Sequence, residues 1–251
     1  MNIAHGRGQI PYQGMITREA VVRQMRKIGG LIKKLDSDIV CLQEVDKASH
    51  WNRRVDLLET LFEMLDHGHR YQGIHNLRGG KLPLAYGNAI LSRHTIARQE
   101  SVAFGARTLG EKGFVLVEVE LGRRLLPILN VHLDYRSRVA RIEQVERILG
   151  TLEGYFSGEG VGSFHPPLVC GDFNTSERNR GDAVHLLFEE LRTHHAYQLI
   201  PAGARTFPAL IPIKGIDFIL ASEAFRLTRQ EVVRTFLSDH RPVVAEFELD
   251  G

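Results

Sequence analysis

The chain has 251 residues, 43% of them hydrophobic and 25% charged, with a formal net charge of +2. That length and apolar content allow a sizeable core, and no run is apolar enough to cross a lipid bilayer. The charge is smaller than a non-specific nucleic-acid binder normally carries, and two cysteines are too few for a disulfide scaffold.

Thr17 to Leu35 reads as a helix, with Val21, Val22, Met25, Ile28, Ile32 and Leu35 at helical spacing and Thr17 as its N-cap; Gly29–Gly30 marks close packing or a bend. Asp38 to Glu44 is a short apolar run ending in a carboxylate, the pattern of a buried strand that delivers Glu44 to an edge. Arg54 to Asp66 is again helical, and Asn88 to Ser92 is a short strand. Phe114 to Leu121 and Leu125 to Leu133 read as a hairpin turned by Gly122–Arg123. Val139 to Leu152 is a helix, Pro167 to Asn174 a strand and Ala183 to Leu191 a helix; Gly215 to Ala221 and Pro242 to Leu249 are strands. No linker or internal repeat interrupts the series, so 1–251 is expected to be a single domain, with 157–167 its loosest loop. Cys41 and Cys170 sit in apolar runs and read as small core residues. The arginines at 23, 26, 53, 54, 123, 124, 136, 138 and 141 read as solvated faces. The sequence carries no signal-peptide pattern, and a cytoplasmic monomer is expected. Helices alternating with strands around a hairpin suggest mixed sheets covered by helices.

Several strands end alike. Gln43–Glu44, His132–Leu133–Asp134, Gly171–Asp172–Phe173–Asn174, Asp217 and Ser238–Asp239–His240 each put carboxylate, amide or imidazole at a strand end. One such cluster is ordinary loop chemistry. Five on separate strands, if they converge, crowd like charges that need a cation or a retained proton. Oxygen donors with few thiols favour a hard ion, Mg²⁺ or Mn²⁺. Zinc is disfavoured: there is no His-Glu-x-x-His and no Cys-x-x-Cys, and adjacent His194–His195 diverge on a helix.

Together these motifs resemble the endonuclease/exonuclease/phosphatase superfamily, the DNase I-like group, over nearly the whole chain. Asn2–Ile3, Gln43–Glu44, Gly87 to Ser92, Asn130 to Leu133, Gly171 to Asn174 and Ser238 to His240 carry the likeness in order. The opening Asn2 to Gly8 is similar to that of small bacterial metal-dependent hydrolases. The resemblance implies an α+β fold, a four-layer α/β/β/α sandwich of two mixed sheets, and metal-dependent hydrolysis of phosphate esters by in-line attack of an activated water. It implies Glu44 and Asp239 as metal ligands and His132, Asp172, Asn174, Asp217 and His240 as catalytic residues. Asp172 would orient or deprotonate the water, and His240, buffered by Asp217, would bond the phosphate or move a proton. Asn2, Arg7 and Phe207 are the expected substrate-binding residues. Tyr12, Trp51, Arg53, Arg54, Tyr86, Tyr135, Arg136 and Arg205 lie in expected loops near the strand ends, where an aromatic beside an arginine stacks on a base or simply packs.

Two departures from the family pattern matter. The family's first strand runs several apolar residues before its Asn, whereas Met1 directly precedes Asn2, so that strand is expected to be truncated. Asn130–Val131–His132 stands where apurinic endonucleases carry a Tyr-containing strand. The expectation therefore tilts toward a phosphodiesterase or phosphatase acting on a small or lipid-linked phosphate ester. A DNA or RNA nuclease is the alternative, and a non-catalytic binding module, which should have an eroded site, comes last.

Overall fold

The computed structural model describes residues 1–105, 110–156 and 164–249. In chain order the elements are α1 (Arg18–Leu35), β1 (Ile39–Asp46), α2 (Leu57–Phe62), β2 (His69–Arg78), β3 (Leu84–Ser92), β4 (Ile96–Ala103), β5 (Gly113–Leu121) and β6 (Arg124–His132). There follow α3 (Arg138–Phe156), β7 (Leu168–Asp172), α4 (Ala183–His194), β8 (Tyr197–Ile200), β9 (Asp217–Ser222), β10 (Phe225–Val232) and β11 (Val243–Leu249). One sheet runs β1-β3-β2, a larger one β4-β5-β6-β7-β9-β8, and β10 pairs with β11 in a two-stranded ribbon.

The apolar periodicities explain the layering. On α1, Val21, Met25, Ile28 and Ile32 recur on one face and pack with Leu57, Leu58 and Leu61 of α2 against Leu42, Val45, Ala89 and Leu91 of the small sheet. On α3 and α4, Val145, Ile148, Leu152, Leu187 and Leu191 cover Leu129, Val131, Val169, Phe218 and Leu220 of the large sheet. Ile90, Val115, Val117, Leu126 and Ile128 pack between the sheets. Alternate residues of one strand thus serve different interfaces: Leu129 and Val131 face the helices while Ile128 faces the other sheet. The result is the expected four-layer sandwich.

Thr17 caps α1, its hydroxyl accepting from Ala20 N at 3.2 Å. Gly29 is the close-packed position: an added Cβ would stand 2.9 Å from Met64 Cε, beyond the end of α2. The second helix is shorter than its apolar pattern, because Asp56 caps it by accepting from Glu59 N at 3.0 Å. Residues 157–163 of the expected loop lie outside the described residues. Four strands escaped the sequence reading: β2, β4, β8 and β10. β4 and β10 carry mostly exposed or half-buried side chains, so neither shows a clean alternation. Arg141 is corrected from solvated to buried: its guanidinium grips both carboxylate oxygens of Asp182, at 2.9 and 2.6 Å, and Asp182 in turn caps α4.

The two sheets are joined by amides as well as by apolar contact. Asn130 Nδ2 donates to Leu42 O and Ala89 O, both at 2.9 Å, and Gln43 Nε2 donates to Asn130 Oδ1 at 2.6 Å. Asn88 Nδ2 donates to Asn130 O at 2.9 Å and Gly113 O at 3.2 Å. All three side chains are essentially buried. Three residues of the sequence signature therefore bridge the layers.

His75, on β2, is buried beside them and donates from Nε2 to Phe114 O at 3.1 Å. Burial, with the nearby Lys112 charge, pushes its pKa down to about 4, against the opposing pull of the Phe114 carbonyl. The unfolded chain binds this proton near pH 6.5 and the folded chain does not, so stability is complete above pH 6.5 and declines as the pH falls toward 4. The decline attributable to His75 is about 3 kcal/mol. Urea titrations of wild type and His75→Gln at pH 7 and pH 4 should differ by that amount in their pH dependence; parallel losses would remove His75 from the account.

Candidate active site

Strand register collects the site. β6 pairs in parallel with β7 so that His132 lies opposite Asp172, and β7 pairs antiparallel with β9 so that Asp172 lies opposite Asp217. Three residues far apart in sequence thus occupy one rung of the large sheet, and rung neighbours share a face. That face is the one Asn130 and Ile128 turn toward the small sheet. Gly171, just before Asp172, has φ +144° and lies against β6, where a Cβ would meet Val131 O at 1.9 Å, so only glycine fits.

The small sheet supplies the opposite wall. Its β1 does not stop at Glu44. The strand runs on to Asp46, and its pairing with β3 shifts between Leu42 and Val45, with Glu44 at φ 57°. Such a bulge turns a side chain out of the ladder. Residues 1–3 lie along β1 in parallel, with Asn2 opposite Gln43. Ala4, His5, Glu44 and Asn174 all have left-handed backbone angles. Non-glycine residues hold that conformation at a cost of about 1–3 kcal/mol each, and such strain gathers at functional sites.

Asp172 is the hub. It is 1% exposed. One carboxylate oxygen lies 3.2 Å from Asn2 Nδ2, 3.4 Å from His132 Nε2 and 3.7 Å from His240 Nε2; the other accepts from Asn174 N at 3.0 Å. His240 Nδ1 meets both oxygens of Asp217, at 3.1 and 3.0 Å. Burial, reinforced by the Asp217 charge and opposed by His240, pushes the Asp172 carboxyl up to about 6. Burial alone would lower His240, but the Asp217 and Asp172 carboxylates outweigh it and push the imidazole up to about 10. His132 goes the other way: burial and the Lys112 ammonium hold it well below its ordinary value. The resulting neutral ring accepts from Lys112 Nζ at 2.8 Å.

Glu44 lies across from this hub. Its oxygens are 3.3 Å from His5 Nε2 and 3.5 Å from Lys112 Nζ. Burial would raise its pKa, but His5, Lys112, His132 and His240 together hold it below the usual carboxylate range. His5 Nδ1 bonds Asp46 at 2.8 Å, and Trp51 Nε1 donates to the same carboxylate at 2.9 Å. Asp239 receives Arg7 Nη2 at 2.6 Å. Ser238 Oγ donates to Asn2 O at 2.8 Å, tying the last loop to the first residues. Phe207 stands 4.7 Å from the His240 ring, centroid to centroid.

Asn2, Arg7, Glu44, His132, Asp172, Asn174, Phe207, Asp217, Asp239 and His240 are therefore linked through these contacts, with adjusted partners: Arg7 engages Asp239, and Asn174 donates to Leu133 O at 2.9 Å. Tyr86 is corrected from loop to strand; it is buried in β3 and packs with His5 and Trp51. Tyr135 is 54% exposed, and its ring lies under the guanidinium of its neighbour Arg136. Sequence reading missed His5, Asp46 and Lys112. Lys112 is a single lysine before an apolar strand, which nothing in sequence separates from a surface lysine. His5 had the better signal, lying inside the Asn2 to Gly8 stretch.

The donor chemistry fits a hard cation. Glu44, Asp46, Asp172, Asp217 and Asp239 gather here, with Arg7 paired to Asp239 and Lys112 to Glu44. Asp172, Asp217 and His240 offer ligand atoms within 4.8 Å of one another, but His240 already sits between those carboxylates. Glu44 and Asp239 have more exposed side chains, at 18% and 23%, and are the freer oxygen donors.

The family model described as the endonuclease/exonuclease/phosphatase family matches residues 2–240. No curated protein sequence matches the chain. Among solved structures, a mannosyl-6-phosphatase of Bacteroides thetaiotaomicron aligns with TM-score 0.71 and 16% identity, covering 90% of this chain and 91% of that one. A family protein of Leptotrichia buccalis aligns with TM-score 0.67 and 14% identity over 99% and 98% of the two chains. Sphingomyelinase C of Streptomyces griseocarneus aligns with TM-score 0.63 and 17% identity over 89% and 90%. These likenesses are of fold.

Proposed function

The chain belongs to the endonuclease/exonuclease/phosphatase family, whose members hydrolyse phosphate esters, and from that premise we propose that it is a Mg²⁺- or Mn²⁺-dependent phosphodiesterase or phosphatase. The observation that carries this reading is a buried carboxylate, Asp172, placed between two imidazoles and an amide. Its raised pKa suits it to accept a proton from water near neutral pH. His240, kept protonated by Asp217, donates to a phosphate oxygen as charge develops there. Asn2 Nδ2 and the Asn174 backbone N–H orient Asp172, and His132, with Lys112 on its Nε2, borders the phosphate. Glu44 and Asp239 would hold the divalent ion. When bound, the ion neutralises phosphate oxygen charge. Arg7, Lys112 and Phe207 line the approach. In this reading the whole span 1–251 acts as one domain.

A lipid-linked ester is favoured by one feature of the rim. The turn after Phe207 exposes Leu210, Ile211 and Ile213 at 66%, 70% and 63%. It is anchored beside the site by Ala209 N donating to Asp239 O at 2.7 Å and by the pairing of Phe207 with Lys214. Clustered exposed apolar side chains fit an apolar partner surface. Purified protein should hydrolyse a soluble diester or monoester reporter with Mg²⁺ or Mn²⁺ and lose that activity in EDTA. Replacing Leu210, Ile211 and Ile213 by serine should lower turnover of a phosphate lipid in vesicles by about tenfold and spare the soluble reporter. Equal loss on both substrates would remove the lipid reading. Degradation of plasmid DNA with inert reporters would instead favour the nuclease alternative.

A further inference from the structure

The register between β1 and β3 skips Gln43 and Glu44, so cross-strand packing does not fix the Glu44 side chain. Its direction depends on what its two oxygens touch. Oε1 lies 3.5 Å from Lys112 Nζ, and Oε2 lies 3.3 Å from His5 Nε2. These two neighbours differ in stiffness. Lysine carries its ammonium on a flexible four-carbon stem. The His5 ring is buried and held from several directions. Its Nδ1 donates to Asp46 Oδ2 at 2.8 Å, and Trp51 Nε1 donates to Asp46 Oδ1 at 2.9 Å. Trp51 and Tyr86 meet the ring edge-on, each at 4.9 Å between centroids. The backbone beneath it is a left-handed turn, with φ of 48°, 53° and 73° at Ala4, His5 and Gly6. That turn is closed by Ala4 N donating to Asn2 Oδ1 at 2.9 Å and Gly6 N donating to Ile3 O at 3.0 Å.

We infer that His5, braced by Asp46, is the positioning residue for Glu44: it presents a fixed donor to Oε2 and so aims the carboxylate at the divalent ion. The inference rests on the reading of Glu44 as an ion ligand. Carboxylates accept at both ring nitrogens, so the imidazole donates at both. Glu44 then meets the ion already oriented, and less side-chain freedom is lost on binding.

The burial of Asp46 follows from the same arrangement. A carboxylate with no exposed surface is costly, and this one bonds His5 and Trp51. A cationic ring beside an ion ligand would by itself repel a second cation. Asp46 cancels the charge of the ring, so Glu44 keeps its own negative charge for the ion while the ring keeps its grip on Oε2. Orientation and charge therefore predict opposite results when His5 is replaced. Loss of an orienting donor weakens ion binding, whereas loss of a repelling cation tightens it.

The test replaces the two ring nitrogens separately. His5→Asn puts an amide where Nδ1 lies, keeps a partner for Asp46, tolerates the left-handed backbone and falls short of Glu44. His5→Gln puts its amide near Nε2 and keeps a donor for Glu44. Mn²⁺ binding, followed through the electron paramagnetic resonance signal of the free ion, should weaken by about 10–100-fold in His5→Asn and be largely restored in His5→Gln. Glu44→Gln is the reference. If it weakens Mn²⁺ binding while His5→Asn leaves binding unchanged or tighter, the brace is overturned and Glu44 remains a ligand. Equal weakening in His5→Asn and His5→Gln would also overturn it, as would a lower Tm in His5→Asn with wild-type affinity, which would assign His5 to packing. Unchanged Mn²⁺ binding in Glu44→Gln would overturn both the brace and the reading of Glu44 on which it rests.

Discussion

Asp172→Asn should lower kcat/KM on a phosphate-ester reporter by about a thousandfold or more while leaving Tm unchanged or higher. The two halves of that expectation share one cause. Folding strips water from this carboxylate, and its pKa rises to about 6 because the charged form is disfavoured. A group held under such a penalty adds little to stability as an anion, so the neutral amide relieves the fold. The same substitution removes the proton acceptor and leaves His240 facing an amide. Thermal melts and steady-state kinetics on the same preparations separate the two effects. An Asp172→Asn enzyme that keeps wild-type turnover would dismiss Asp172 as the base. One that loses activity together with several degrees of Tm would place it in the scaffold instead.

Asn130→Leu should reduce the unfolding free energy by about 4 kcal/mol, a loss at the top of the range for single substitutions. Leucine fills a similar volume, so packing is not the cause. The substitution strands Gln43 Nε2 and takes the side-chain donor from Leu42 O and Ala89 O, cross-strand partners in the β1–β3 ladder; the three bonds lost are 2.6–2.9 Å long in a fully buried setting. A buried group that loses its partner keeps its desolvation penalty. Gln43→Leu made together with Asn130→Leu removes that stranded group, so the double variant should be more stable than the summed single losses predict. Simple additivity in urea titrations would show that the amides do not act as a unit. Activity per folded molecule should fall less than for Asp172→Asn, because Asn130 lies one strand alternation behind His132.

These two expectations divide the sequence motifs by what they do. Gln43, Asn88 and Asn130 form the bridge between sheets, whereas Glu44, His132 and Asp172 face the cleft. In sequence the two groups are interleaved: Gln43 adjoins Glu44, and Asn130 stands two residues before His132. Both need polar side chains at the end of an apolar strand, and composition alone cannot distinguish a polar group that pairs across a core from one that meets a substrate.

Local chemistry was enough to specify a good deal. The capped, periodic α1, the Gly122–Arg123 turn and the apolar strands of the large sheet are dictated by short-range rules, since each is read from neighbours three or four residues away or from strict alternation. The ordered motifs likewise specified the layered fold and the residues that meet in the cleft. Distance in sequence hid the rest. The rung that aligns His132, Asp172 and Asp217 exists only once β6, β7 and β9 pair. The bulge that turns Glu44 needs β3 beside β1. Lys112 and Arg141 become a site cation and a buried clamp only because tertiary packing removes their water and supplies partners, Glu44 and His132 for one and Asp182 for the other. A residue's type sets which bonds it is able to make; its burial and its cross-strand neighbours decide which of them form.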